Sequence, residues 1–321
     1  MAAKRIALLG GSGFVGRHLV AALTREGYAT RVLTRRRSRS RPLLVMPTCE
    51  VVETNVHQAS NLDAHLSGCD AVINLTGILN EHPGAGERFR DVHAELPGRL
   101  VEACRRRRVR RLLHMSALGV GADAPSEYLR TKFSGEQTVH AAEGDGIAVT
   151  SFRPSIIFGP GDSFFNRFAG LLALSPFVFP LACPEARFAP VYIGDVVRAF
   201  LTALGDDSTA NQRYELCGPH IYTMRELVAY TARVTGRRRL IVGLGDRLSR
   251  LQGRVLERIP GKPFSTDNYL STKLDNVCSC DGLGQLGITA RSIESIVPGY
   301  LGRRERNSSL GRLRASAAHR D

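Results

Sequence analysis

Tyr128 and Lys132 stand four residues apart in YLRTK, and Ser116 stands twelve residues before the tyrosine. On a helix, residues at i and i+4 share one face. A phenol beside an ammonium is a usable general acid or base, because the cation lowers the tyrosine pKa. The lysine can also hold a ribose, and the serine hydroxyl can hydrogen-bond a reacting oxygen. The three together suit proton delivery during hydride transfer. A second group lies near the start of the chain. LLGGSGFVGRHLV places Gly10, Gly13 and Gly16 at GxxGxxG spacing. There Gly10 allows a sharp turn, Gly13 lets backbone approach a pyrophosphate, and Gly16 lets helix and strand pack closely. A helix N-terminus opening at that point offers free N–H groups and partial positive charge to phosphate. No His or Cys cluster has metal-ligand spacing: the seven cysteines are scattered, Cys278 and Cys280 lie one residue apart, and no metal is expected. They read as reduced thiols.

About twenty residues beyond the glycines, an NAD enzyme places an acid on the ribose 2′-OH, whereas a nearby arginine suits a 2′-phosphate. Here the stretch is RVLTRRRSRSR, with no acid. Arg35, with Arg36 second, is therefore expected to read NADP(H) in preference to NAD(H).

The elements needed to hold these residues are legible in the same rows. RIALLG, ATRVLT, CEVVET, DAVINLTG, RRLLHMSAL and GIAVTSFRPSIIFG read as strands, separated by segments with helical periodicity. The alternation predicts an α/β fold: a Rossmann-type, doubly wound parallel sheet with a smaller C-terminal α/β lobe. The expected boundaries are residues 1–160 for the nucleotide-binding domain, with core strands continuing into later segments. Residues 161–303 form the smaller lobe, and 304–321 a basic, disordered tail. Thr223 and Glu226 in TMRE predict a capping box opening a helix. Asp195 in YIGDV reads as a helix cap.

The chain has 321 residues and a formal net charge of +14; of its 44 basic residues only Lys4, Lys132, Lys262 and Lys273 are lysines. This excess implies an anionic partner or an arginine-biased composition. Nucleic acid is not expected, because tryptophan is absent and no aromatic stacking set accompanies the arginines. Lys4 and Arg5 precede too short an apolar run for a secretory signal. No stretch reaches membrane-spanning length, and Pro176 and Pro180 break the most apolar one, Phe168 to Cys183. The expected location is cytoplasmic, extending to the inner face of the membrane as a peripheral protein.

Beyond these motifs, DVHAELPGRLVEACRRRRVRRLLHMSALG, SEYLRTKFSGEQTV, FRPSIIFGPGDSFFNRFA, PVYIGDVVRAF, DNYLSTKLDNV and LGITARSIESIVPGYL follow in an order that resembles the extended or atypical short-chain dehydrogenases/reductases. Within that superfamily the chain resembles the NAD(P)-binding accessory subunit of respiratory complex I and its bacterial relatives. The resemblance covers about residues 3 to 303. It implies a bound dinucleotide lined by Gly10, Ser12, Gly13, Phe14, Val15, Gly16, Arg35, Arg36, Asn55, Val56, Leu75, Thr76, Gly77, Lys132, Pro154 and Ser155, with Tyr128, Lys132 and Ser116 at the reacting end. Two departures stand out. Asn55 replaces an acid that often contacts the adenine, and His93 stands where many extended members carry asparagine. The expected function is NADP(H)-dependent oxidoreduction of a small molecule, apolar or quinone-like, linked to quinone or respiratory metabolism. The alternatives are a non-catalytic cofactor-binding accessory or assembly protein of a respiratory or quinone-biosynthesis complex, and a nucleotide-sugar epimerase or dehydratase. Arg105 to Arg111 and Arg303 to Arg314 are the basic faces expected to serve such an association.

Overall fold

A computed structural model describes residues 4–81, 88–259 and 262–302. The expected tail, 304–321, and the basic face at Arg303 to Arg314 lie outside the described residues. In chain order the elements are β1 (Arg5–Leu9), α1 (Phe14–Arg25), β2 (Ala29–Thr34), β3 (Cys49–Glu53), α2 (Ala59–Leu66), β4 (Ala71–Asn74), α3 (Leu96–Arg107), β5 (Arg111–Met115), α4 (Glu127–His140) and β6 (Ala148–Pro154). Next come β7 (Ile157–Phe158), α5 (Phe165–Leu174), β8 (Val178–Leu181), β9 (Arg187–Phe188), β10 (Val191–Tyr192), α6 (Ile193–Gly205), β11 (Gln212–Leu216), β12 (Tyr222–Thr223) and α7 (Met224–Val234). The chain continues with β13 (Leu240–Gly243), α8 (Asp246–Leu256), α9 (Thr266–Ser271), α10 (Gly282–Gln285) and α11 (Ile293–Leu301).

Two compact units result. The first comprises residues up to Pro154, then Ile193–Leu216 and Cys278–Thr289. Its centre is a seven-stranded, all-parallel sheet in the order β11-β6-β5-β4-β1-β2-β3. Side chains alternate across a strand, so both sheet faces need cover. Ala7 and Leu9 of β1 join Leu62, Leu66, Leu100, Val101 and Val139 from α2, α3 and α4 in one core cluster. Ile6 and Leu8, one residue out of phase, are equally buried, and α1 packs with α6. The α/β, doubly wound expectation holds. The order reverses beside β1, where β2 and β4 flank it, and in such sheets ligands bind outside the carboxyl ends of the strands at that point.

The second unit comprises Ser155–Tyr192, Cys217–Val277 and the residues from Ala290 onward. Three two-stranded ribbons, β7–β10, β8–β13 and β9–β12, join α5, α7 and α11 around Phe158, Phe165, Leu172, Leu227 and Val297. The predicted capping box is present: Thr223 accepts from the Glu226 N–H, and the Glu226 carboxylate accepts from the Thr223 N–H. Asp195 is a correction. It sits inside the first turn of α6 rather than before it, is buried, and pairs with Arg198. An acid there still favours the positive end of the helix.

One further expectation changes. Cys49, Cys69, Cys104, Cys183 and Cys280 are free thiols, but Cys217 and Cys278 are disulfide-bonded. Within the Arg105–Arg111 run, Arg105, Arg106 and Arg111 are engaged within the fold, while Arg107, Arg108 and Arg110 are exposed. Arg105 pairs with Glu102 and Asp145, and Arg106 with Asp63. Arg111 donates to the Ala203 and Ala148 carbonyls and to Thr150 and Thr209.

Candidate functional site

The glycine loop runs from the end of β1 into α1. Gly10 has φ +76°, and a Cβ there would lie 2.9 Å from the Leu75 carbonyl. Any other residue would suffer both strain and collision. A Cβ on Gly16 would run into the backbone of Gly11, so the first turn of α1 lies directly against the loop. Gly13 caps α1; no side chain occupies the cap and no acid stands in the first turn. The first N–H groups of this 12-residue helix are thus open to an anion, and no carboxylate opposes one. Ser12 Oγ lies 3.5 Å from Thr34 Oγ1 at the end of β2, while Phe14 and Val15 are half-buried at the start of α1. This cradle fits a pyrophosphate, on the glycine geometry and the uncapped helix alone.

Beside it, the ends of β2 and β3 open onto a cleft of about 690 Å³. Its lining includes Arg35, Asn55, His57, Asp91 and Arg99. Arg36 is exposed and its N–H donates to Thr34 Oγ1. Asn55 Oδ1 accepts from the His57 N–H at 3.0 Å, closing a turn, and the Val56 side chain enters the core cluster. Arg31, by contrast, is committed to Glu50 at 2.7 Å and to the His65 carbonyl. Of the arginine-rich stretch, Arg35 is the member that faces the cleft.

The end of β4 and helix α4 form the other half. Leu75 N–H bonds the Leu9 carbonyl, extending β4 alongside β1. Asn74 Oδ1 then accepts from both the N–H and the hydroxyl of Thr76, turning the chain outward to the exposed Gly77. Ser126 caps α4 by accepting from the Leu129 N–H. This fixes Tyr128 in the first turn and Lys132 one turn on. Lys132 is only 3% exposed, and Nζ donates to the Thr76 carbonyl at 3.1 Å and the Met115 carbonyl at 2.9 Å. Burial lowers its pKa to about 8, opposed by the carboxylate of Glu136. A Cβ on Gly77 would sit 3.2 Å from Nζ, so the glycine keeps the approach to the ammonium clear.

Glu136, one more turn along α4, is fully buried. Arg153 binds both its oxygens and Arg213 binds one, at 3.2 Å. Burial alone would raise this carboxyl, but the hydrogen bonds and charge of Arg153 hold it below its usual range. Ser116 Oγ also lowers it, yet makes no hydrogen bond of standard geometry. Ser116 is buried just after β5, its N–H bonded to the Phe152 carbonyl.

His93 was an anomaly in the sequence, and its geometry accounts for it. It is buried, and Nε2 accepts from the Ile78 N–H at 3.0 Å. Nδ1 then carries the proton, facing Thr131 Oγ1 at 3.2 Å. Burial, then the Lys132 charge, push its pKa far below the usual histidine range. His93 is therefore a neutral strut that ties the segment after β4 to α4. Its ring also meets the Tyr128 ring edge-on, with centroids 5.4 Å apart, and Phe89 packs against both rings.

Among the residues proposed from the sequence, the glycine loop, Arg35, Asn55, the Leu75–Gly77 segment, Ser116, Tyr128, Lys132 and Pro154 belong to the first unit, with Pro154 ending β6. Ser155 belongs to the second unit, where its hydroxyl donates to Asn276. Sequence reasoning missed Glu136 and the strut role of His93. Glu136 repeats the four-residue spacing from Tyr128 through Lys132, which is the one local signal that could have found it.

The chain belongs to the NAD dependent epimerase/dehydratase family. The match spans residues 6–217. Among curated proteins, the chain is 28% identical over 300 residues to the NADH-ubiquinone oxidoreductase 40 kDa subunit, mitochondrial, of Neurospora crassa, covering 92% of this chain and 78% of that one. It is 29% identical over 246 residues to the ceramide reductase of Caulobacter vibrioides, covering 75% of this chain and 74% of that protein. Among solved structures, a dTDP-glucose 4,6-dehydratase from Streptomyces venezuelae with NAD bound superposes with a TM-score of 0.71 at 20% identity, over 92% of this chain and 95% of that one. It shares the fold. The family is thus an epimerase/dehydratase type of short-chain dehydrogenase/reductase, and the resemblance to complex I subunits seen in the sequence holds.

Proposed function

We propose that the chain is an NADP(H)-binding oxidoreductase that acts on an apolar, quinone-like or lipid-like carbonyl compound. The observation that carries this reading is the anchoring of Lys132 by the Thr76 and Met115 carbonyls, one helical turn from Tyr128 and beneath the open Gly77. Gly10, Gly13 and the first turn of α1 would hold the pyrophosphate. Arg35 and Asn55 would border the adenosine end, and Lys132 the nicotinamide ribose. Bound there, the nicotinamide supplies or accepts hydride. Tyr128 would pass a proton between its phenol oxygen and the substrate oxygen, and Ser116 would orient that oxygen. A cation one helical turn from the phenol would favour the phenolate and so ease this transfer. His93, held neutral and bonded at both nitrogens, takes no part in moving the proton.

NADP(H) preference rests on Arg35 at the cleft and the absence of an acid in RVLTRRRSRSR. The test is a fluorescence titration with NADPH and with NADH at physiological salt. One charge-assisted phosphate contact predicts NADPH tighter by more than about tenfold, and Arg35→Ala should erase that ratio. Equal affinities in the wild-type protein would refute the preference.

A second reading has its own observation. Similarity to a mitochondrial respiratory-complex subunit spans 92% of the chain. In that reading the dinucleotide stabilises an accessory or assembly protein without turnover, and the protein works as a peripheral partner of a respiratory or quinone-biosynthesis complex. Tyr128→Phe separates the two. Loss of NADPH-dependent turnover supports catalysis. Unchanged cofactor affinity, with co-purification in a membrane complex and no turnover in either form, supports the accessory role. The nucleotide-sugar reading is the third, supported by the fold match to a sugar-nucleotide dehydratase.

A further inference from the structure

Helix α8, in the second unit, is amphipathic with its apolar side outward. Leu248, Leu251 and Val255 fall at i, i+3 and i+7 and so share one face. They are 56%, 54% and 49% exposed. The residues of α8 that are buried are Ser249 and Gly253. Ser249 Oγ donates to the Leu244 carbonyl and accepts from the Cys183 N–H. A Cβ on Gly253 would lie 3.1 Å from the Ser265 carbonyl oxygen. Ser249 and Gly253, with half-buried Leu256 on the same face, therefore seat the helix on its unit, while Leu248, Leu251 and Val255 point away.

The apolar surface continues beyond the helix. Gln252 of α8 donates to the Pro180 carbonyl of β8. On the β8–β13 ribbon, Leu240 pairs with Val178 and Val242 with Pro180, and all four are on the exposed side. Leu174 and Phe177, just before β8, are exposed as well. This turns the apolar Phe168–Cys183 segment into two parts. Leu172, Phe179 and Leu181 are core, while Leu174, Phe177 and Val178 are surface.

Charge follows the same geometry. Arg247, Arg250 and Arg254 also fall at i, i+3 and i+7, on the flank next to the leucines, and Arg258 follows. All four are exposed. Of the two acids of the segment, half-buried Glu257 accepts from the Thr266 N–H, and Asp246, although exposed, is paired with Lys273 and accepts from the Tyr269 hydroxyl. A helix with an apolar strip flanked by arginines, lying flat on its support, matches a lipid surface with anionic headgroups. A protein partner would need a complementary acidic, shaped face; a bilayer needs only depth and charge.

We infer that α8 and the adjoining β8–β13 ribbon dock the protein on an anionic membrane surface, Leu248, Leu251 and Val255 entering the interface and Arg247, Arg250 and Arg254 contacting the headgroups. Among the described residues no helix is long and apolar enough to cross a membrane, so the attachment is peripheral. The inference does not depend on the cofactor reading, and the nucleotide titration can fail or succeed without touching it.

The experiment is co-sedimentation of the full chain with phosphatidylcholine vesicles, with and without phosphatidylglycerol. The wild-type protein is expected in the pellet with anionic vesicles, released by high salt. Arg247→Glu/Arg250→Glu/Arg254→Glu should weaken binding on the order of 100-fold, from about 1 kcal/mol per cation at an anionic surface. Leu248→Ser/Leu251→Ser/Val255→Ser should abolish pelleting. The chain contains no tryptophan, so Leu251→Trp adds a single indole whose emission should shift to the blue on anionic vesicles. Three results would overturn the inference: wild-type protein left in the supernatant, unchanged pelleting of the serine variant, or pelleting with no shift at Trp. A concentration-dependent dimer dissolved by the serine substitutions, without vesicle binding, would also overturn it and assign the face to a second copy of the chain.

Discussion

Helices α4 and α8 depart from the usual pattern of apolar side inward and charge outward, and they do so in opposite directions. Helix α4 takes charge inward: Lys132 and Glu136 are buried and every charged end is bonded to carbonyls or guanidinium groups. Helix α8 leaves Leu248, Leu251 and Val255 outward and seats itself through Ser249, Gly253 and half-buried Leu256. Burying a charge costs several kcal/mol, and removing one partner leaves the other stranded. Exposing three apolar side chains costs far less in folding, because each keeps much of the exposure it had in the unfolded chain. The inward violation is therefore tied to stability as well as chemistry. The outward violation is nearly free to the fold and is informative about partners.

The comparison can be broken most directly at Glu136. Glu136→Ala takes the carboxylate from mostly buried Arg153 as well as from exposed Arg213 and should lower stability by about 3–5 kcal/mol, read from urea denaturation. A loss below about 1 kcal/mol would mean that solvent, not Glu136, satisfies those arginines. The next test is acid. Buried His93 and His114 stay neutral in the folded protein, His114 with a pKa pushed down to about 3, mainly by burial. Below pH about 6.5 the unfolded chain takes up protons that the folded protein refuses. Stability should therefore fall from pH 7 to pH 5, by about 2 kcal/mol for each histidine. His114→Gln should flatten half of that slope, and a slope unaffected by it would show that His114 is protonated when folded. Smaller again is Gly253→Leu, which forces α8 away from the Ser265 carbonyl and should cost about 1–3 kcal/mol. The smallest effect belongs to Leu251→Ser, within about 0.5 kcal/mol of wild type. A large thermal destabilisation there would place Leu251 in a packed contact and erase the contrast with α4.

Much of the site was legible because it is built from local rules. The strand–glycine–helix signature of RIALLGGSGFVGRHLV is one continuous segment, and so is YLRTK. Each declares its local structure and its candidate residues within a few turns of chain. The capping box at Thr223 is local in the same way. What was missed joins distant segments. Arg111 reads as part of a basic run, yet it is consumed by Ala203, Thr150 and Thr209, which lie 39 to 98 residues away. His93 reads as a departure from a pattern, and only its contacts to Ile78 and Thr131 give it a purpose. Asp195 was placed one step too early because an acid at a cap and an acid in the first turn look alike in a single row of letters.

Helical periodicity fixed that α8 has an apolar strip and an arginine strip, since 3.6 residues per turn allow no other grouping of Leu248, Leu251, Val255 and Arg247, Arg250, Arg254. Periodicity does not say which strip faces the protein. By the usual preference the leucines would have been turned inward. The tertiary structure reversed this, because the Ser265 carbonyl and the β8–β13 ribbon approach so closely that only the edge carrying Ser249 and Gly253 fits against them. The sequence alone thus determined the alternating elements of the first unit, the glycine cradle and the tyrosine–lysine pair, which depend on neighbours along the chain. Burial direction and the bonding of each charge depend on neighbours in space, and the packed fold decided them.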